Sequence, residues 1–230
     1  MAGTLPTLTE GKFRKIIMVF AVTLAIAGAW TLISELARAP RIGFPIDQNY
    51  LAAADQRWKA ALAARVGAVR GDLWAELVFS FANSILIRGD PDFGAIETLT
   101  GALPAARRAL VYAPFRSEVW LLLAEMAKDY ELQTPNAATA LTMSYYTAPY
   151  NQALTPLRLS VATRGNAVRD PSLRQLVEQD LQIIFASKPE MRPAVIAAYA
   201  TASPEGKHLI ESVAQEADPS FLVRLQKKAP

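Results

Sequence analysis

An uncharged apolar run near the amino terminus constrains this chain more than any other feature. Residues 16–34 (IIMVFAVTLAIAGAWTLIS) are 19 consecutive residues without a charge. Because a helix rises about 1.5 Å per residue, this run is about as long as the hydrocarbon core of a bilayer is thick. We therefore predict a single membrane anchor over 16–37, which contacts the lipid bilayer. Trp30, near its far end, suits a lipid interface.

The segment before the anchor indicates its orientation. Residues 1–15 form a polar amino terminus that ends in a basic cluster of Lys12, Arg14 and Lys15. Basic clusters favour the cytoplasmic side of a membrane. We therefore predict a cytoplasmic amino terminus and a helical domain on the opposite side.

A cleaved signal peptide is the alternative interpretation of the same run. Ala37, Arg38 and Ala39 have the small-x-small form of a cleavage site. Pro40 would directly follow the cut, and the apolar run is longer than the usual signal core of about 7–15 residues. Both features favour the anchor.

Composition and charge narrow the classes of function. The 230 residues include 24 basic and 21 acidic side chains, a net charge of +3 that is too balanced to indicate a nucleic-acid partner. There is no cysteine, and His208 is the only histidine. A zinc site is therefore not expected, and His208 is predicted on a helix surface. Asp90 and Asp92 lack the ligand series of a calcium loop, so we predict no metal or cofactor.

A helical pair is predicted between two prolines, Pro114 and Pro149. In the first helix Trp120, Leu123 and Ala127 share one stripe, since positions three and four apart lie on one face. The second helix carries small residues around Leu141, which would allow close approach to the first helix. Ser117 and the Thr134-Pro135 pair are predicted helix starts.

A second copy of this pattern precedes the first along the chain. Trp74, Leu77 and Phe81 repeat its spacing, and alanines at 102, 106 and 109 mark the partner helix. The two halves lie farther apart than in the better copy, so residues 89–101 are predicted to be an insertion in the loop between them.

Helices are predicted over the rest of the chain, without a strand pattern of useful length. Residues 38–49 are predicted as a linker, followed by a helix over 50–69. Residues 188–230 are predicted as a carboxy-terminal helical cap. The Asp170-Pro171, Ser203-Pro204 and Asp218-Pro219 pairs are predicted to start helices, because each pairs an N-cap residue with a proline at the first helical position.

The paired helices resemble tetratricopeptide repeats, with residues 71–149 as the best match and 50–187 as the whole repeat region. The resemblance implies an all-α fold, an anchor followed by a short, degenerate helical solenoid. It also implies a concave surface, lined by the first helices of each pair, that binds a protein partner. The residues expected to face this partner are Asp72, Ala75, Phe79, Asn83, Glu118, Leu121, Glu125 and Lys128.

The strings SYYTAP and PLRLSVATR are similar to membrane-anchored repeat proteins of bacteria, some of them associated with polysaccharide production. This resemblance implies a bacterial inner membrane and a periplasmic domain. The function it implies is a scaffold at the membrane, accessory to envelope polysaccharide synthesis or export, and not an enzyme.

Two other functions stay open from the sequence. The chain could be an accessory subunit held in a larger complex through its anchor. It could also be a glycan-processing enzyme that uses Glu118 and Glu125, which lie about 10 Å apart along one helix face. Tyr145, Tyr146 and Tyr150 bear on ligand binding. At least one of them should point out of the core, where it could stack on a sugar or a partner, although packing on the next helix is the alternative.

Overall fold

The computed structural model describes residues 10–38, 42–44, 56–86, 98–129 and 136–228. Within these ranges the chain forms helices and turns and contains no strand, which confirms the predicted all-α class. Twelve α-helices occur in the described ranges. They are α1 Glu10–Ala37, α2 Arg57–Val66, α3 Gly71–Phe79, α4 Ala82–Leu86, α5 Leu103–Tyr112, α6 Ser117–Asp129, α7 Ala137–Thr147, α8 Thr155–Arg164, α9 Pro171–Ser187, α10 Arg192–Ala200, α11 Pro204–Ala217 and α12 Pro219–Lys228.

Helix α1 contains the apolar run and ends at the residue predicted for the end of the anchor. It is long and apolar enough to cross a membrane. Its side chains from 11 to 33 are all exposed, whereas Ser34 is buried. A helix that is apolar all round suits lipid, and only its last two turns pack against the rest of the described chain.

Three predicted helix starts have the expected cap. The side chains of Asp170, Ser203 and Asp218 each accept a hydrogen bond from a backbone N–H three residues later, at 3.0 to 3.2 Å. Each satisfies an N–H that the first turn of a helix leaves without a partner.

The start of α7 differs from the prediction. Helix α7 begins at Ala137, and the Asn136 side chain accepts a hydrogen bond from the Thr139 N–H at 2.8 Å. Thr134 and Pro135 lie outside the described residues. Asparagine is as effective an N-cap as a hydroxyl residue, so the cap could have been placed at either position.

The two tryptophans of the predicted copies occupy matching local structures. Trp74 Nε1 donates to the Ala68 carbonyl at 2.9 Å, and Trp120 Nε1 donates to the Pro114 carbonyl at 2.7 Å. In both cases the acceptor lies six residues earlier. In each copy, the tryptophan side chain therefore forms a hydrogen bond between the start of its helix, α3 or α6, and the turn before that helix.

Helices that are near each other in the chain pack as pairs in the first part of the domain. Helix α3 packs on α5, and α6 packs on α7. The start of α3 meets the end of α5, where a Cβ on Gly71 would lie 2.6 Å from the Ala113 Cβ. The start of α6 meets the end of α7, where the Ser144 hydroxyl donates to the Ser117 carbonyl at 2.9 Å. Both pairs are therefore antiparallel.

The pairing changes after α7. Helix α8 packs mainly on α10, and α9 packs mainly on α11. The start of α11 lies directly against the end of α8, because the Ser203 N–H and hydroxyl both donate to the Thr163 carbonyl. Gly206 leaves room for this contact, since a Cβ there would collide with the same carbonyl.

Part of the predicted linker belongs to the core. Ile42 is buried, and the Phe44 ring packs edge-on against the Phe79 ring, with centroids 5.6 Å apart. Helix α2 begins at Arg57, and the segment 45–55 before it lies outside the described residues. Residues 89–97 of the predicted insertion 89–101 also lie outside them, while residues 98–102 form a π-helical turn that leads into α5.

Candidate functional site

The eight residues predicted to face a partner occupy three kinds of position. Ala75, Phe79, Leu121 and Glu125 are buried in the helical core. Asp72 and Glu118 are half-buried and line a pocket beside the end of α1. Asn83 lies on α4 and Lys128 on α6, but their side chains lie outside the described residues. The face that was expected to form an open groove is therefore mostly interior.

The two carboxylates considered for glycan chemistry do not share an open site. Glu125 is fully buried, and Arg164 Nη1 lies 3.2 Å from its Oε1. Glu118, on the same helix, lines the pocket beside α1 together with Arg116. A sugar bond could not reach both groups in this arrangement, so it offers the enzyme alternative no support.

A network of ion pairs locks the end of α1 to α3. Arg38 Nε donates to both carboxylate oxygens of Glu76, at 3.1 and 3.0 Å, and Arg38 also pairs with Glu35. Arg70 Nη2 lies 2.6 Å from Glu35 and 2.7 Å from Asp72. We call these five residues the junction network. It surrounds a pocket of about 510 Å³.

Trp30 adds a hydrogen bond from within the apolar run of α1. Its Nε1 donates to the Val66 carbonyl at the end of α2, at 2.7 Å. One turn later, Ser34 is buried, and its hydroxyl bonds back to the Trp30 carbonyl. Helix α1 is therefore fastened at two levels, to α2 by Trp30 and to α3 by the junction network.

The pKa values in the junction network follow from its pairing. The hydrogen bonds with Glu76 raise the pKa of Arg38. Burial alone would raise the pKa of Asp72, but hydrogen bonding to Arg70 and the two nearby arginine charges lower it overall. The Arg38 guanidinium and the Asp72 carboxylate therefore both stay charged at neutral pH.

We expect the Arg38 to Glu76 pair to be strongly coupled. Both side chains are nearly nine-tenths buried, and the guanidinium contacts both carboxylate oxygens. A double-mutant cycle with Arg38→Ala and Glu76→Ala should give a coupling of about 1.5 kcal/mol in the free energy of unfolding of the full chain in detergent. The exposed Arg174 to Glu178 pair on α9 is the matched control, with about 0.3 to 0.5 kcal/mol. Equal coupling energies for the two pairs would contradict the claim that the junction network stabilises the packing of α1 on α3.

A second cleft, lined by arginines and aromatic rings, lies between α2, α3 and α5. Its volume is about 760 Å³. Its polar lining includes Arg57, Arg65 and Arg108, and among the described residues no carboxylate lines it. Trp58 stands at its side with 65% of its surface exposed. We call this the arginine cleft.

Aromatic rings hold two of the cleft arginines in place. The Arg57 guanidinium lies 4.2 Å from the centre of the Phe81 ring, and the Arg108 guanidinium lies 4.8 Å from the Trp74 ring. Such cation-π contacts orient a guanidinium. Arg57 also donates to the Ser80 carbonyl at 3.4 Å, whereas Arg65 and Arg108 are exposed. The cleft therefore presents ordered positive charge beside apolar surface, which suits an acidic ligand.

A third polar cluster is buried between α7, α8 and α9. Arg158 is 1% exposed, lies 4.7 Å from the Tyr145 ring centre, and donates to the Ser144 hydroxyl and to the carbonyls of Ser144 and Ala148. Burial raises the pKa of Tyr145 and of Asp180, and lowers the pKa of Arg158. The cluster closes the carboxyl end of α7 and has no opening to solvent at Arg158, so we assign it to stability.

His208 is exposed on α11, as predicted. No group of three or more potential metal-ligating side chains occurs in the described part of the chain. No known protein family, curated protein or solved structure matches this chain.

Sequence reasoning missed both the junction network and the arginine cleft. The sequence contains residues of both sites. Glu35 and Arg38, at the end of the apolar run, belong to the junction network, and Arg65 and Arg108, in separate helices, belong to the arginine cleft. Arg38 and Arg70 are 32 residues apart, and only the packing of α1 on α2 brings them to one carboxylate. Charge pairs between distant segments leave no periodic pattern in a sequence.

Proposed function

We propose that this protein is a membrane-anchored, non-enzymatic adapter whose helical domain holds an acidic partner protein at the membrane surface. The observation that carries the proposal is the junction network together with the Trp30 hydrogen bond. These contacts make α1 and the helical domain one mechanical unit, since an anchor that only tethered the domain would need no such contacts. A rigid junction fixes how the domain faces the membrane.

The arginine cleft is our choice for the partner surface. Arginine and tryptophan are the residues most enriched at the energetic centres of protein interfaces. The cleft combines three arginines with the exposed Trp58, whereas the predicted groove residues Ala75, Phe79 and Leu121 are buried. An acidic segment could form two-pronged hydrogen bonds with the exposed guanidinium groups of Arg65 and Arg108.

The architecture supports a degenerate tetratricopeptide-like arrangement as part of this proposal. The matching tryptophan hydrogen bonds at α3 and α6 and the antiparallel pairs favour it. The change of pairing after α7 confines it to the first part of the domain. The resemblance to bacterial repeat proteins supports a bacterial inner membrane, a periplasmic domain and a link to envelope polysaccharide assembly.

Reversing two cleft charges should abolish partner binding. We expect the double variant Arg65→Glu and Arg108→Glu to lose the proteins that co-purify with the full chain from native membranes. The physical reason is repulsion between an acidic partner and the new carboxylates, a penalty of several kcal/mol. The measurement is quantitative mass spectrometry of the purified complexes, repeated with a glutamate-rich peptide as competitor.

The control for that experiment reverses the same amount of charge elsewhere. Arg174 and Arg224 are exposed on α9 and α12, so Arg174→Glu with Arg224→Glu changes net charge equally without touching the cleft. Circular dichroism verifies that both double variants fold. If the cleft variant and the control retain the same partners, the arginine cleft is not the binding surface. If both variants and the original chain retrieve no partner, the adapter function itself fails.

A further inference from the structure

We propose that one edge of the helical domain lies on the bilayer, with exposed aromatic side chains in the lipid interface. The edge consists of three turns, residues 67–70, 113–116 and 148–151, which we call the turn edge. This inference rests on the proposed function, because it takes α1 as a membrane anchor. It adds a second membrane contact to that function and sets the orientation of the domain.

The first turn is held at the depth where the apolar run ends. The Val66 carbonyl, just before this turn, accepts the hydrogen bond from Trp30 at 2.7 Å. Arg70, at its far end, lies 2.6 Å from Glu35, the first charged residue after the run. Trp30 and Glu35 are about 7.5 Å apart along the helix axis. The turn therefore occupies the level at which hydrocarbon gives way to headgroups.

The direction of α3 follows from the order of its contacts with α1. Arg70, just before α3, contacts Glu35. The later residue Arg38 contacts Glu76, in the second turn of α3, more closely than Asp72 in the first turn, which lies at 3.7 Å. Helix α3 therefore leaves the membrane in the same direction as α1. Its starting end, at Gly71, faces the membrane.

The other two turns lie on the same side of the domain as the first. The antiparallel pairing of α3 with α5 brings the turn at Ala113 next to Gly71. The antiparallel pairing of α6 with α7 then returns the chain to that side, where Ser144 bonds to Ser117. The turn 148–151 follows directly. Three successive turns therefore form one edge at the level of the membrane surface.

Large apolar side chains are concentrated on this edge. Phe115 is 80% exposed and Tyr150 is 92% exposed, each directly after an Ala-Pro pair. Val69, which has the same position relative to Trp74 as Phe115 has to Trp120, is 51% exposed. Outside α1, the described residues include ten exposed large apolar side chains. Six of them lie within two residues of these turns, and they are Val69, Val111, Tyr112, Phe115, Tyr146 and Tyr150.

The chemistry of the turn edge fits lipid. Phenylalanine and tyrosine with one side free are the residues that partition into a lipid interface. The three turns contain two arginines, Arg70 and Arg116, and no carboxylate, so the edge is not repelled by anionic headgroups. An aromatic row fully exposed to water would be costly, and contact with the bilayer removes that cost.

Site-specific fluorescence quenching in liposomes tests this orientation. The chain has no cysteine, so single cysteines can be introduced by Phe115→Cys, Tyr150→Cys, Phe20→Cys and Asn166→Cys, and labelled with an environment-sensitive fluorophore. The full-length variants are placed in vesicles of phosphatidylcholine and phosphatidylglycerol that contain spin-labelled lipid. Phe20 lies in the apolar run. Asn166 is exposed beyond the far end of α8, about 15 Å or more from the turn edge.

We expect labels at positions 115 and 150 to be quenched several-fold more strongly than the label at 166, and the label at 20 to be quenched strongly. If position 20 is quenched but 115 and 150 behave like 166, the bilayer contact is disproved and the anchored adapter stands. If position 20 is not quenched, α1 is not in the bilayer, and both the contact and the adapter proposal fail. Because all four positions are exposed, substitution there should not unfold the domain.

Discussion

Replacing Arg158 with alanine should destabilise the helical domain by about 3 to 4 kcal/mol. The fully buried guanidinium donates to the Ser144 hydroxyl at 3.1 Å and to the Ala148 carbonyl at 3.1 Å, and it lies over the Tyr145 ring. Its removal takes a charged donor away from the buried Ser144 hydroxyl and from the Ser144 carbonyl, and it opens a cavity between α7 and α8. The measurement is denaturant unfolding of the full chain in detergent, followed by tryptophan fluorescence.

Two comparisons separate the hydrogen bonds from the packing. Arg158→Met retains most of the side-chain volume, so it should recover part of the stability that is lost through the cavity. It should recover none of the stability that is lost with the hydrogen bonds. Arg174→Ala removes an exposed arginine on α9 and should change the free energy of unfolding by less than about 0.5 kcal/mol. A loss under about 1 kcal/mol for Arg158→Ala would show that water replaces the guanidinium, contrary to its full burial.

Replacing Leu121 with alanine should cost about 3 kcal/mol of stability, within the usual range for a buried leucine. Leu121 is completely buried in α6, although the repeat resemblance places it on a partner-binding groove. A core position and a groove position predict opposite results. The core position predicts a large fall in the free energy of unfolding, and the groove position predicts normal stability with lost binding.

The measurement for Leu121→Ala is unfolding under the same conditions as for Arg158→Ala, with partner recovery from native membranes as the second readout. Val223→Ala is the control, because Val223 is an apolar residue with 67% of its surface exposed and should change stability by less than about 0.5 kcal/mol. If Leu121→Ala leaves stability unchanged but loses the partner, Leu121 lies in an open groove, and the packing of α6 described above is wrong.

Helix boundaries were the most predictable part of this fold. The Asp170-Pro171, Ser203-Pro204 and Asp218-Pro219 pairs each start a helix where local chemistry requires it. Caps depend on residues within three positions of each other, so they can be predicted from the local sequence. Tyr146, adjacent to the buried Tyr145, is 63% exposed, as expected for neighbours on a helix.

Which helix face is buried was harder to predict. The stripe through Leu121 and Glu125 was expected to be open, yet both are buried. A helix that packs on neighbours along most of its surface buries more than one stripe, and periodicity identifies only the most apolar one. Periodicity could not predict the burial of Glu125, because its charged partner is Arg164 from α8, 39 residues later.

The sequence by itself determined that the described chain is helical, that one helix can span a membrane, and that paired tryptophans repeat. Each of these depends on short-range spacing, on length or on composition. Tertiary structure decided what the end of α1 contacts, where the arginines gather and which turns share an edge. Glu35 and Arg70, or Ser117 and Ser144, meet only after the helices pack. The energy of such contacts belongs to pairs of distant residues, and local patterns do not encode it.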